Sequence, residues 1–263
     1  MTDTRPLALI TGASSGIGHQ LARQFATNGY DVIVAAEDDA IVTAAASLAH
    51  GGASAEAVQV DLRSAEGVDQ LYRTVVEDGR PLAAAALNAG VGRGGRFIDT
   101  DLADDFDIVD LNVRSTMQLA KLILRDMARR NSGKVLFTSS IASTMPGSYQ
   151  PVYNASKSFI QSLAEALRDE LRDTDVTVTS LMPGPTDTNF FRRAKMDDTV
   201  VGRMQDKDDP AEVARQGYQA LMRGDQKVVA ESLSTKVFGL ANRVLPDSVK
   251  AVANRVLSTP ANR

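Results

Sequence analysis

The stretch "LALITGASSGIGHQLARQFA", residues 7–26, runs from an apolar segment through three glycines, Gly12, Gly16 and Gly18, into a pattern with helical period. Three missing side chains at one turn let a ligand come close to the backbone. At a strand-to-helix turn the free N–H groups and the positive end of the helix dipole can meet a pyrophosphate. A turn used only for packing is the competing reading.

Outward from this turn, short apolar runs recur: "DVIVAA" (31–36), "AVQV" (57–60), "LAAAALN" (82–88), "KVLFTS" (134–139) and "VTVTSLM" (176–182). Segments with helical period alternate with them, such as Leu119, Leu122 and Ile123, then Phe159, Leu163, Ala166 and Leu167. Strands alternating with helices build βαβ units, and near-continuous apolar strands suit a parallel sheet covered on both faces. Together with the first-turn glycines this predicts one doubly wound, Rossmann-type α/β domain over residues 1–263. Its sheet should have seven mainly parallel strands in the order 3-2-1-4-5-6-7, with the site at their carboxyl ends.

Composition narrows the function. The 263 residues carry a formal charge of −4, and the basic residues are outnumbered and scattered, which argues against a nucleic-acid binder. With no cysteine, disulfides, thiolate catalysis and cysteine metal sites are excluded. His19 and His50 lack acidic or serine partners in any recognisable pattern and read as surface or packing residues, so no metal is expected. No apolar run approaches the roughly 20 residues that span a bilayer, and "MTDTRPLALITG" is too short and polar for a secretory leader. A cytoplasmic protein without membrane partners is the expectation.

"PVYNASKSF" (151–159) sets Tyr153 four residues before Lys157, on one helix face. Taken alone the two could be a solvated pair. A tyrosine ordinarily titrates near pH 10, so proton exchange at neutral pH needs a nearby positive charge that favours the phenolate.

"TGASSGIG" (11–18), "DL" (61–62), "NAG" (88–90), Asn112 in "LNVRS", "SS" (139–140), "YNASK" (153–157) and "PG" (183–184) stand in one chain in this order. In order and spacing they resemble the short-chain dehydrogenase/reductase family, over about residues 5–230 and nearest its ketoacyl-reductase-like branch. Ser115 and Ser143 stand where the commonest family pattern has glycine. The resemblance implies an enzyme moving a hydride between a nicotinamide cofactor and a carbonyl or secondary alcohol. Tyr153 would be the general acid/base and Ser140, 13 residues before it, would bond the substrate oxygen. Lys157 would lower the tyrosine pKa and hold the nicotinamide ribose, and Asn112 would hold a water linking Lys157 to solvent. A dinucleotide-binding regulatory or scaffold protein without turnover is the alternative, and a damaged set of these four residues would mark it. Relatives often pair the helices matching about 103–130 and 152–172, which implies a homodimer or homotetramer.

The cofactor contacts follow in the same way. Ser14, Ser15 and Ile17 lie with Gly12, Gly16 and Gly18 in the phosphate turn. Asp61 and Leu62 would contact adenine, and Asn88, Ala89 and Gly90 would line the ribose side. Pro183, Gly184, Thr186 and Thr188 of "PGPTDT" would face the nicotinamide amide. Glu37, about where an acid would bond the adenosine ribose, would repel a 2′-phosphate, so NAD is expected over NADP. His19 or Arg63 are the candidates to reach such a phosphate.

After residue 188 the rhythm breaks. Residues 1–263 divide into a dinucleotide-binding and catalytic core (5–188), a charged, aperiodic stretch (189–208) expected to be a mobile substrate lid, and a C-terminal helical extension (231–263). The lid mixes Phe190, Phe191, Met196, Val200, Val201 and Met204 with Arg192, Arg193 and Lys195, suiting a hydrophobic carbonyl compound with an anionic group, or simply packing on the sheet. The extension reads as two short helices split by Pro246, whose Val237, Phe238, Leu240, Val244 and Leu245 would pack beside the lid or at a subunit contact.

Overall fold

The computed structural model describes residues 5–49, 52–230 and 247–259. Seven strands form one parallel sheet in the order β3-β2-β1-β4-β5-β6-β7. They are β1 (Leu7–Thr11), β2 (Asp31–Ala36), β3 (Ala55–Gln59), β4 (Leu82–Leu87), β5 (Gly133–Thr138), β6 (Val176–Pro183) and β7 (Lys227–Ala230). The order expected from the sequence holds, although "KVVA" of β7 is too short to have stood out as an apolar run.

Successive strand residues point to opposite faces, and each face has its own core. Leu7, Leu9, Ile33 and Ala35 pack with α3 (Ala65–Glu77), α5 (Thr116–Arg130) and α6 (Pro151–Glu170). Ala8, Ile10, Val32 and Val34 pack with α1 (Gly16–Thr27), α2 (Ala40–Leu48) and α9 (Pro210–Arg223). β1 feeds helices to one side and its neighbour β4 to the other, so a crevice opens where the winding reverses.

The helix expected over 103–130 is not uniform. α4 (Leu102–Ile108) passes into a π-helical turn, Val109–Ser115, before α5 begins. The Ser115 hydroxyl donates to the Leu111 carbonyl at 2.5 Å, a back-bond that competes with the regular ladder. The Asn112 side chain is drawn sideways onto the backbone of Val91.

The stretch 189–208 is not aperiodic coil. It folds into α7 (Phe190–Arg193) and α8 (Val200–Arg203), and Phe191, Ala194, Met196 and Val201 form a small core of their own, with Phe190 against it. Its two ends are tied by a parallel bridge between Thr186 and Asp208. The helix that follows is capped as its sequence implies, Asp209 accepting from the Ala211 N–H at 2.9 Å with Pro210 in the first turn. In the C-terminal extension α10 (Asp247–Ser258) packs on α8. Val237, Phe238, Leu240, Val244, Leu245 and Pro246 lie outside the described residues, as does His50. Among the described residues no helix is long and apolar enough to cross a membrane.

The first turn explains its glycines individually. Gly12 and Gly16 have φ of +67° and +57°, and a Cβ on Gly18 would overlap the carbonyl oxygen of Gly12. Gly18→Ala should therefore cost about 3 kcal/mol, since the obstacle is backbone. Gly29, at φ +92° with open space around its missing Cβ, is the control: Gly29→Ala should cost about 1 kcal/mol from backbone conformation alone. Urea unfolding midpoints of the two variants check this ordering.

Candidate active site

The residues singled out for catalysis and cofactor contact, from Gly12 to Thr188, line one crevice at the carboxyl ends of the strands, except Asn112, which lies behind it. Thr11 sets one wall: its hydroxyl accepts from the N–H groups of Asn88 and Ala89, both at 3.0 Å. Asn88 Nδ2 donates back to the Thr11 carbonyl at 3.2 Å, and the Thr138 hydroxyl donates to Asn88 Oδ1 at 3.1 Å. The Asn88 amide is thus spent on joining β1, β4 and β5. A Cβ on Gly12 would meet Ala89 Cα at 2.9 Å, and one on Gly16 would meet Thr188 Cγ2 at 3.0 Å. Only glycine leaves a groove here, and Ser15, at the head of α1, makes no side-chain capping bond to the first turn. A bare backbone cradle at a helix N-terminus fits a dinucleotide pyrophosphate.

α6 carries Tyr153 and Lys157 on its inner face. Lys157 is buried, and its Nζ donates to the Thr138 carbonyl at 2.9 Å, 5.8 Å from the centre of the Tyr153 ring. Burial pushes the Lys157 ammonium down to about 8. Burial likewise pushes the Tyr153 phenol up to about 12, with a hydrogen bond to the Ser140 hydroxyl pulling the other way. The lowering of the tyrosine by Lys157 is not seen in this arrangement, where burial and the Ser140 bond set the shift and the ammonium is turned to Thr138. At neutral pH Tyr153 holds its proton and Lys157 its charge.

Ser139 and Ser140 have separate tasks. Ser139 is fully buried and its hydroxyl donates to the Lys157 carbonyl at 3.1 Å, fastening α6 to β5. Ser140 faces the crevice, accepting from the Ala142 N–H at 3.1 Å. The Asn112 side chain clips Val91 in both directions at 2.9 Å and donates to Ser156 Oγ at 2.9 Å. Both amide hydrogens are thus used, while Oδ1 keeps a second lone pair. Gly90 lies between this amide and the lysine, and a Cβ there would come within 3.2 Å of both Asn112 Oδ1 and Lys157 Nζ.

The stretch 189–208 lies against these residues. Phe190 packs on Tyr153 with ring centres 5.2 Å apart, and on Phe191 edge to face. Gly92 and Gly94 make room for Phe190 and Met196, and the Gly94 N–H donates to the Ala194 carbonyl at 2.8 Å. Phe190, Phe191, Met196 and Val201 therefore pack on each other and on the 90–95 loop, not on the sheet, while Val200 and Met204 are exposed. Arg193 does not rim the substrate end: it reaches Asp38 at 3.5 Å, across the dinucleotide side.

The far end of the crevice was not legible beforehand. Met145, Gln150, Asn254 and Leu257 line it, and Gln150 Nε2 donates to Ser258 Oγ at 2.9 Å, which donates to Asn254 Oδ1 at 3.3 Å. Asn254 and Ser258 are one turn apart on α10, a spacing that puts both on one face. Gln150, beside Pro151 at the head of α6, was the other available signal. Among the described residues no group of three or more His, Cys, Asp or Glu could hold a metal.

The buried Lys157 ammonium implies a stability cost of its own. Its folded-state pKa is below the ordinary value, so the penalty is full below about pH 8 and fades as the unfolded chain also deprotonates towards pH 10.5. Lys157→Met should raise Tm by roughly 2–4 °C at pH 7, and the gap should close between those two pH values; thermal melts across the range check the sign.

Residues 6–199 match the family model described as short chain dehydrogenase. A 3-oxoacyl-[acyl-carrier-protein] reductase from Synechocystis is 31% identical over 69% of this chain and 74% of its own. A short-chain dehydrogenase from Sphingobium yanoikuyae, solved with NADPH, superposes with a TM-score of 0.81 at 24% identity, covering 98% of this chain and 99% of that one. One from Burkholderia phymatum, solved with NAD, gives 0.82 at 21% identity, covering 100% and 99%. Motifs, strand order and family match agree, and this chain belongs to the short-chain dehydrogenase/reductase family of oxidoreductases, which has ketoreductase-like members.

Proposed function

We propose that this protein is a nicotinamide-dependent oxidoreductase interconverting a carbonyl and a secondary alcohol, with Tyr153 as the general acid/base. The observation that carries the reading is the Tyr153 phenol, hydrogen-bonded to Ser140 beside the buried Lys157, at the end of a glycine-floored crevice. The dinucleotide, when bound, supplies or accepts the hydride. Ser140 holds the substrate oxygen and Tyr153 donates its proton to the oxygen as negative charge develops there. A phenol pushed up to about 12 keeps its proton at pH 7 and can donate it in the reductive direction; the oxidative direction needs the phenolate, so its rate should gain with rising pH. Lys157 supplies the positive charge in the crevice and a donor for the nicotinamide ribose. Asn112 acts as a positioning residue, holding Val91 and Ser156 around that charge.

Glu37, Asp38 and Asp61 line the adenosine end and disfavour a 2′-phosphate, so NAD is the proposed cofactor. The substrate end, with Met145, Phe190, Phe191, Val201 and Leu257, suits a hydrophobic carbonyl compound. The scaffold reading has less support, because Asn112, Ser140, Tyr153 and Lys157 are all present. Exposed Leu102, Phe106, Val109, Met117 and Phe159 on α4, the π-helical turn, α5 and α6 support a homo-oligomer built on these helices.

Tyr153→Phe removes the transferable proton and little contact area. In a panel of hydrophobic ketones followed at the nicotinamide absorbance, its turnover should fall by roughly 100-fold or more, with dinucleotide affinity within about twofold by calorimetry; an undiminished rate would refute the assignment. Residues 189–208 are proposed as the substrate lid, pinned at Thr186 and Asp208. Amide hydrogen exchange should slow in this stretch when dinucleotide and ketone are both present, and equal exchange with and without them would rule out closure.

A further inference from the structure

Behind Glu37 stands Arg63, a cation with three carboxylates around it. Its Nε donates to both oxygens of Asp61, at 2.9 and 3.1 Å, and its backbone N–H donates to Asp61 Oδ1 at 2.9 Å. Its Nη2 bonds Glu37 Oε2, and its Nη1 lies 3.5 Å from Asp107 Oδ2. Glu37 and Asp61 line the crevice directly. β2 and β3, paired from Val32↔Ala55 to Ala36↔Gln59, bring the two carboxylates to the same edge. Gln59 Nε2 holds the Glu37 carbonyl at 3.2 Å.

The ties on Arg63 are unequal. The Asp61 ties are local, two residues away in sequence: one Nε–H shared between both carboxylate oxygens, with an added backbone bond. The Glu37 tie is one bond from the guanidinium's far end, reaching across strands. If Glu37 loses its charge, the Asp61 bonds still hold the arginine, and its Nη2–H, left with at most a neutral amide acceptor, can turn its bond to an incoming phosphate. Burial pushes the Asp61 carboxyl up, yet the Arg63 hydrogen bonds more than offset this and hold it below its ordinary value, as a persistent anchor requires. The Arg63 and Glu37 side chains are 31% and 45% exposed, so their pair adds little to fold stability. Its consequence lies in what faces the crevice.

We propose that Arg63 determines cofactor selectivity through Glu37: it orients that carboxylate to accept from a ribose 2′-hydroxyl, and it is a latent 2′-phosphate site that Glu37 keeps occupied. This rests on the nicotinamide reading of the crevice and adds to it the residue that decides between the two dinucleotides. Arg63 is a positioning residue in the native protein and becomes a direct ligand only when Glu37 is neutralised. A guanidinium edge is suited to phosphate by its planar donors.

The test is a double-mutant cycle read by calorimetric titration of NAD+ and NADP+ into the full chain. Wild type should bind NAD+ more tightly. Glu37→Gln should gain at least about tenfold for NADP+, the worth of one charge-assisted hydrogen bond. Arg63→Gln should weaken NAD+ by about three- to tenfold without improving NADP+, and the double variant should lose the NADP+ gain. Circular dichroism should report the same fold for all four proteins. A Glu37→Gln protein with no gain for NADP+, or a gain that survives in the double variant, overturns the role of Arg63 while leaving the nicotinamide reading intact. A wild type that binds neither dinucleotide overturns both.

Discussion

The hydroxyl of Thr11 accepts two backbone N–H groups from the strand beside it, and the crevice depends on that contact. β1 and β4 are the strands between which the helices change sides, so their tips would diverge without a tie. The tie runs from Thr11 to Asn88 and Ala89 and on through Asn88 to Thr138. Thr138 in turn offers its carbonyl to the Lys157 ammonium. One chain of hydrogen bonds thus runs from the phosphate cradle to the buried cation, and the positions of Gly12 and Lys157 are mutually fixed. A buried ammonium with one carbonyl partner is costly to hold, and it persists because three strands supply the geometry.

The sheet and the cradle were legible because both rest on local signals. β-branched or alanine-rich runs at regular intervals, with glycines at the first turn, leave few topologies open. Even the alanine-rich β4 reads as a strand from its place in the alternation. The catalytic positions were legible through motif order, and Ser139 and Ser140 sort themselves in space, one hydroxyl inward to the helix and one into the crevice.

What escaped reading depends on contacts between distant segments. The π-helical turn follows from the Asn112 amide reaching Val91, 21 residues earlier, a pull with no periodic signature. The lid residues looked aperiodic because their partners, Gly92 and Gly94, lie about a hundred positions away. The partner of Arg193 has no sequence signal for the same reason: a surface arginine has many carboxylates in reach, and only the fold selects Asp38. Burial pushes the Tyr153 phenol up, with the Ser140 hydrogen bond pulling the other way, a balance that spacing does not reveal.

The link between Gln150 and Ser258 joins the head of α6, near the middle of the chain, to α10, 108 positions on. α10 supplies no strand and no part of either large core, yet it forms the end wall of the crevice. The end wall of the crevice and the two large cores are therefore written in different parts of the sequence. Changes in α10 can reshape that end wall while the sheet is untouched, so the shape of the crevice can drift under weak constraint. The cradle glycines, which serve fold and ligand at once, have no such freedom.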